Sequence, residues 1–299
     1  MTSDLDLRGV WVPLITPFDA AGAVDVAGIE RLVGDALKAG VSGIVALGTT
    51  AETAALTHDE KQLVIDTITR LCADAGSRVI VGTGTYNTVE TIAATEALKG
   101  LPAVVGALVV TPYYIRPSEA GVVAHMRKIA ETAPVPLVVY NIPARAGRNL
   151  GAKSLLELAN TRNIAGVKQA VPNLDTDTLE VLANAPQGFS VLGGEDTMLF
   201  PLMCMGAAGT ISAAAHLCTD RFVAMIECGL AGKIDDGRGH AEALLPVVRT
   251  AYVEPNPAVF KGVLHEQGKI ATPDVRLPLL NASDASVANC LAEVARASR

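Results

Sequence analysis

Asn163-Ile164-Ala165-Gly166-Val167-Lys168-Gln169 is a short apolar run that ends in a lysine. Its length and its polar flanks mark a strand buried on both faces rather than a helix. The pattern recurs upstream. Leu137-Val138-Val139-Tyr140-Asn141-Ile142-Pro143-Ala144-Arg145 passes from an apolar run into a tyrosine and then an arginine, and Gly43-Ile44-Val45-Ala46-Leu47-Gly48-Thr49-Thr50-Ala51-Glu52 passes into paired hydroxyls. Taken alone, Lys168 marks a strand re-entering solvent, since exposed lysines far outnumber catalytic ones. Three strand ends that offer an amine, a phenol with a guanidinium, and hydroxyls point elsewhere. Desolvation can keep an amine neutral, and a neutral amine attacks carbonyl carbon.

Outward from these stretches, apolar strand candidates begin near Val10, Gly43, Arg78, Val104, Leu137, Ile164, Phe189 and Ala208. The segments between them can hold helices: Val26, Ile29, Val33, Ala36 and Leu37 share one helical face, and so do Val64, Ile68, Leu71 and Cys72. Strands that alternate with helices imply parallel pairing with right-handed crossovers, and the continuous apolar runs fit strands covered on both sides. No Gly-x-Gly-x-x-Gly opens a helix, so a dinucleotide-binding sheet lacks its main signal. Eight strand-helix units predict an α/β fold, a (β/α)8 barrel with its site at the C-terminal strand ends, where Thr49, Tyr140 and Lys168 all fall. After Ser212 the pattern is helical only, over roughly Ala214–Leu230, Asp235–Tyr252, Pro257–Gln267 and Asp284–Ala297. The expected division is a barrel over 1–230 and a C-terminal helical layer over 231–299. The apolar stretch Thr197–Leu217 holds Pro201, Gly206 and Gly209, which divide it into a buried helix and a buried strand.

Of the 299 residues, half are hydrophobic, 18% charged and 4% aromatic, an ordinary composition for a water-soluble core of Val, Leu, Ile and Ala. A net charge of −7 argues against binding nucleic acid or an anionic membrane through bulk electrostatics and favours small-molecule ligands, with a local basic pocket around Arg145 and Arg148 still open. The five cysteines are widely spaced with no Cys-x-x-Cys pair, as in a reduced, cytoplasmic compartment. His58, His125, His216, His240 and His265 show no metal spacing, so no metal is expected. The start, Met1 to Arg8, lacks the basic and apolar regions of a signal peptide. Glu195 and Asp196 read as helix N-terminal residues rather than catalytic carboxylates.

Together these motifs resemble the dihydrodipicolinate synthase and N-acetylneuraminate lyase superfamily of class I, Schiff-base aldolases. The resemblance runs from Gly9-Val10-Trp11-Val12-Pro13 to Arg276-Leu277-Pro278-Leu279 and includes Gly82-Thr83-Gly84 and Thr111-Pro112-Tyr113-Tyr114. Paired Thr49 and Thr50, Arg145, Gly209-Thr210-Ile211-Ser212, and Glu254-Pro255-Asn256-Pro257 leading to Lys261 look like its synthase branch. The resemblance implies that Lys168 forms an imine with pyruvate and that Tyr140 moves protons through Thr49 to Tyr114, which reaches across from a neighbouring subunit. It implies that Thr50 holds the pyruvate carboxylate through its hydroxyl and backbone N–H, that Arg145 holds the carboxylate of aspartate semialdehyde, and that Gly194 and Ile211 line the imine. No cofactor beyond the covalent imine, and a homotetramer, are implied as well.

The family motif usually has Gly where this chain has Ala51, which removes easy access to positive φ and adds a methyl near the carboxylate pocket. Either the turn tolerates it or the aldehyde partner has changed. An aldolase or dehydratase for a 2-keto-3-deoxy sugar acid, and a pyruvate-binding barrel without turnover, are the alternatives that a substrate panel separates. His58, Glu90 and Tyr113 match the family's lysine-effector site, where Tyr86 and Lys61 replace the Asn and His often found in lysine-sensitive members. A cationic Lys61 opposes a cationic effector, so weak or absent lysine inhibition is expected.

Overall fold

The computed structural model describes residues 5–299, so the first four residues of the segment read for a leader lie outside it. The first half of the barrel runs β1 (Gly9–Pro13), α1 (Val26–Lys38), β2 (Gly43–Ala46), α2 (His58–Asp74), β3 (Val79–Gly82), α3 (Thr88–Glu96), β4 (Val104–Val110) and α4 (Glu119–Thr132). The second half runs β5 (Leu137–Asn141), α5 (Pro143–Ala146), α6 (Ala152–Ala159), β6 (Ile164–Gln169), α7 (Thr176–Asn184), β7 (Ser190–Gly193), α8 (Leu199–Cys204), β8 (Gly209–Ile211) and α9 (Thr219–Leu230). Three further helices follow: α10 (Ile234–Ala251), α11 (Ala258–Glu266) and α12 (Asp284–Ala297). The eight strands pair in chain order, all parallel, and β8 closes on β1. This is the α/β barrel with a helical extension that the alternating pattern predicts, and every strand begins within a residue of its expected start.

Two apolar layers hold it. Inside the barrel sit Leu7, Trp11, Val45, Ile80, Leu108, Val138, Leu192 and Ile211, while the intervening strand residues, such as Val10, Val12, Val79, Val81, Val139 and Val167, face the helices. That alternation is the two-residue period of a strand with both faces buried. Trp11 plugs the lower end. Its indole N–H donates to the Leu7 carbonyl and Arg78 lies over its ring at 5.0 Å. Only glycine fits at position 43, where an added Cβ would stand 2.4 Å from the Trp11 ring.

One departure from strict alternation matters for the site. Along β6 the pairing to β5 skips Ala165: Leu137 pairs with Ile164, but Val138 pairs with Gly166. The extra residue is a bulge, which reverses the phase of everything after it. Ala165 lies in the interior cluster, Val167 then faces the helices, and Lys168 comes into register with the inward-facing Tyr140. Without the bulge Lys168 would point into the helical layer.

Among the C-terminal helices, α11 is the innermost, with Ala258 to Leu264 all buried, Lys261 included. The α2 end that faces it is fixed by a capping box between Thr57 and Glu60, and Arg276 forks onto the same Glu60 carboxylate.

Candidate active site

The strand ends that open upward carry the residues singled out above. Lys168 is 6% exposed at the end of β6, and its Nζ stands 4.2 Å from the centroid of the Tyr140 ring. Among the described residues that ammonium group has no hydrogen-bond or ion-pair partner; it lies against the face of a phenol, and its charge also acts on the Asp196 carboxylate. The two strand ends are locked side by side. The Asn141 amide donates to Gln169 Oε1 at 3.0 Å and to the Leu150 carbonyl at 3.3 Å, and its own Oδ1 accepts the Leu150 N–H. Gln169 in turn donates to Thr178 on α7.

Gly194 follows β7 and packs on the stem of Lys168. A Cβ added there would lie 2.8 Å from Lys168 Cε and 2.9 Å from both Lys168 Cγ and Ala170 Cβ. Ile211, at the end of β8, is buried and pairs with Trp11.

After β2 the chain turns through the short 3₁₀ helix Thr49–Ala51. Thr50 is 4% exposed and its Oγ1 accepts a hydrogen bond from the Asn256 amide at 3.1 Å; Thr49 is exposed. The left-handed backbone of this loop falls on Leu47 (φ 52°) and Glu52 (φ 54°), not on Ala51. The Ala51 methyl is buried and its carbonyl accepts from Thr16 at 2.8 Å, so the turn accommodates alanine where the sequence reading looked for glycine.

Arg145 sits exposed on α5 with no carboxylate beside it among the described residues. Tyr114, between β4 and α4, is 86% exposed with φ at 68°, a left-handed conformation that a tyrosine adopts only under constraint. Thus one chain sets Tyr140 and Gly194 against Lys168, with Ile211 at the end of β8 and Thr50 in the turn after β2. The hydroxyls of Tyr140, Thr49 and Tyr114 make no hydrogen bond to one another within it.

The sequence reading missed several polar groups at this end. Asp196 does begin a short helical turn, but its buried Oδ2 reaches across to accept the Ala214 N–H at 3.0 Å and the Tyr252 hydroxyl at 2.7 Å. Burial pushes its carboxyl up, against the pull of those donors, of Ser212 and of the Lys168 charge. His216 accepts the Ile15 N–H and donates to the Ala213 carbonyl, tying the β1 end to β8; burial lowers it to about 4, so it is neutral. Beneath the Thr49–Ala51 turn, Glu52 and Lys261 form an ion pair with both side chains sealed from solvent. Lys261 stands in the apolar run Val259-Phe260-Lys261-Gly262-Val263, and a lysine in such a run signals a buried partner. Asn256, Asp196 and Tyr252 give no comparable sign. No helix is long and apolar enough to cross a membrane, and no group of three or more His, Cys, Asp or Glu could hold a metal ion, among the described residues.

The comparison with known proteins agrees with this geometry. The model of the dihydrodipicolinate synthetase family matches residues 6–296. A 4-hydroxy-tetrahydrodipicolinate synthase of Oenococcus oeni is 39% identical over 94% of both chains, and one of Salinibacter ruber is 38% identical over 93% of this chain and 91% of its own. The crystal structure of dihydrodipicolinate synthase from Thermotoga maritima superposes with a TM-score of 0.94 at 31% identity, covering 98% of this chain and 99% of its own. A buried lysine beside a tyrosine at the mouth of a closed barrel, in a chain matched from end to end, leads to one conclusion: the chain belongs to the dihydrodipicolinate synthetase family.

Proposed function

We propose that this chain condenses pyruvate with L-aspartate 4-semialdehyde to give 4-hydroxy-tetrahydrodipicolinate, with Lys168 as the covalent catalyst. The observation that carries the reading is the buried Lys168 amine, free of any ion pair and set against the Tyr140 ring. In its neutral form Nζ attacks the pyruvate ketone, and loss of water gives the imine. The protonated imine withdraws electrons from the adjacent methyl, which releases a proton and becomes the enamine carbon nucleophile. That carbon attacks the aldehyde. The amine of the semialdehyde then displaces Lys168 from the imine carbon, closing the ring and freeing the enzyme.

Each step moves a proton, and a phenol at the imine suits that task. We assign it to Tyr140, relayed through Thr49 to Tyr114 of a neighbouring subunit; the exposure of Tyr114 and its constrained backbone support its service to another chain. Thr50 takes the pyruvate carboxylate, Arg145 takes that of the semialdehyde as a planar fork, and Gly194 and Ile211 line the imine. The covalent chemistry resides on Lys168 and calls for no further cofactor. The assembly is a cytoplasmic homotetramer, with residues 1–230 as the barrel and 231–299 as the layer that braces it.

Borohydride trapping in the presence of pyruvate, read by peptide mass spectrometry, tests the reading. The expected adduct is on Lys168, with turnover of aspartate semialdehyde in the same preparation; an adduct on another residue, or none, would remove it.

Gly194→Ala is expected to lower kcat/KM by about 10²-fold with the circular dichroism spectrum retained, because the new methyl displaces the Lys168 stem by the clash described above. Parent-like kcat/KM would show that the stem gives way without moving Nζ. For regulation, Tyr86 and Tyr113 close edge-to-face at 5.5 Å, and Lys61 lies on the first turn of α2 with His58. Millimolar lysine is expected to leave the initial rate nearly unaltered; strong inhibition below that range would contradict the assignment to Lys61 of a repelling charge.

A further inference from the structure

We propose that Asn256 is a positioning residue for the pyruvate carboxylate: its amide donates to the Thr50 hydroxyl and leaves that hydroxyl's proton for the substrate. The inference rests on the reading of Thr50 as the carboxylate ligand.

A hydroxyl has one proton and two lone pairs, whereas a carboxylate only accepts. Which way Thr50 is hydrogen-bonded therefore decides whether it can bind one. The Asn256 Nδ2 stands 3.1 Å from Thr50 Oγ1 and fills one lone pair, and among the described residues that oxygen has no other partner. A neighbour that accepted instead would consume the proton the substrate needs. The Asn256 Oδ1 is buried and unpartnered, so the side chain is not fixed by a web of other bonds of its own. Its backbone is what holds it.

That backbone is anchored on both sides of the mouth. Four residues upstream, Tyr252 donates to Asp196 beside the β7 turn; five residues downstream, Lys261 pairs with Glu52, which ends the very turn that carries Thr50. The Arg276 N–H adds a bond to Glu52 Oε2 at 2.7 Å. The segment from 252 to 276 thus grips the Thr49–Glu52 turn at Thr50 and at Glu52, and Ala258 to Leu264 of the α11 helix between these points are all buried. Asn256 reaches Thr50 across 206 positions of sequence, from the C-terminal layer rather than from the barrel.

The test is steady-state kinetics with pyruvate varied, on Asn256→Ala, Asn256→Asp, Thr50→Ala and the double variant, each checked for fold by circular dichroism. Asn256→Ala is expected to raise KM for pyruvate about five- to tenfold, the loss of one neutral hydrogen bond, while kcat falls by less than about threefold. Asn256→Asp should be worse by about a further tenfold, since a carboxylate consumes the Thr50 proton and repels the pyruvate carboxylate. Combined with Thr50→Ala, the Asn256→Ala change should add nothing. Effects that multiply independently in the double variant, or an aspartate variant no worse than the alanine one, would overturn the proposal. If Thr50→Ala leaves KM unaltered, the fault lies in the underlying reading of Thr50, and the proposal falls with it. Should Asn256→Ala lower the folded yield, Asn256→Ser, too short to span the gap yet polar, carries the same expectation.

Discussion

Replacing Lys168 with alanine is expected to lower kcat by at least about 10³-fold and to abolish borohydride-trapped pyruvate, with little change in the folded state. The two halves of this expectation have separate causes. Activity falls because the imine-forming amine is gone, and the other buried lysine described, Lys261, cannot replace it: it is sealed beneath the Thr49–Ala51 turn and tied to Glu52. Stability holds because the Lys168 ammonium has no ion-pair partner to orphan, and its ring contact with Tyr140 is a modest one. Lys168→Arg sharpens the test. Arginine keeps the positive charge over the phenol but is not a nucleophile, so the same loss is expected if covalent attack is the role. Retention of more than about a tenth of kcat by the arginine variant would mean that the charge, and not the amine, carries the reaction.

How much of this could be read in the chain follows from how local each signal is. The strands showed themselves because runs such as Leu137-Val138-Val139 and Val79-Ile80-Val81 are apolar without interruption, which a sheet covered on both faces requires. Lys168, Tyr140 and Thr50 stood out because polar groups ended those runs. The bulge at Ala165 had no such mark: Ile-Ala-Gly-Val-Lys reads equally well in either phase, and only pairing with β5 shows that Lys168 faces inward. Ala51 looked like a misfit, since sequence could not show that the left-handed positions are its neighbours Leu47 and Glu52. Asn256 and Asp196 act over long separations in sequence, the first on Thr50 and the second through Tyr252 and Ala214. Such pairs have no periodicity to betray them. The relay of Tyr140, Thr49 and Tyr114 came from resemblance, and a single chain does not assemble its hydrogen bonds.

Glu52→Gln is expected to destabilise the protein by about 3–5 kcal/mol near neutral pH, which lowers the thermal midpoint on the order of 10 °C. The variant keeps size and shape and removes one charge, so the deficit measures what an unpaired Lys261 does in a site with essentially no solvent. Lys261 retains a bond to the Asp274 carbonyl at 2.8 Å and its place 3.9 Å over the Phe18 ring, neither of which replaces a carboxylate. Burial already holds Lys261 down to about 8 from its ordinary 10.5, against the opposing pull of Glu52. Without Glu52 the depression deepens, and the sign of the pH dependence follows. A lysine depressed in the folded state is penalised where it must be charged, so the deficit relative to the parent is full where Lys261 is charged in both proteins and the parent still holds a Glu52 carboxylate. It shrinks as pH rises through the variant's own lowered value toward about 8, where the parent lysine also gives up its proton. Chemical denaturation of both proteins across that range reads the effect directly. A deficit that grew with pH would show that Lys261 is not the group left exposed to the change. The double replacement Glu52→Leu with Lys261→Met, apolar groups of similar volume, should recover most of the lost stability. It should not recover KM for pyruvate, because leucine cannot accept the Arg276 N–H that helps fix the turn carrying Thr50. Stability and substrate affinity would then separate at one buried pair, as expected if its carboxylate serves the site as well as the fold.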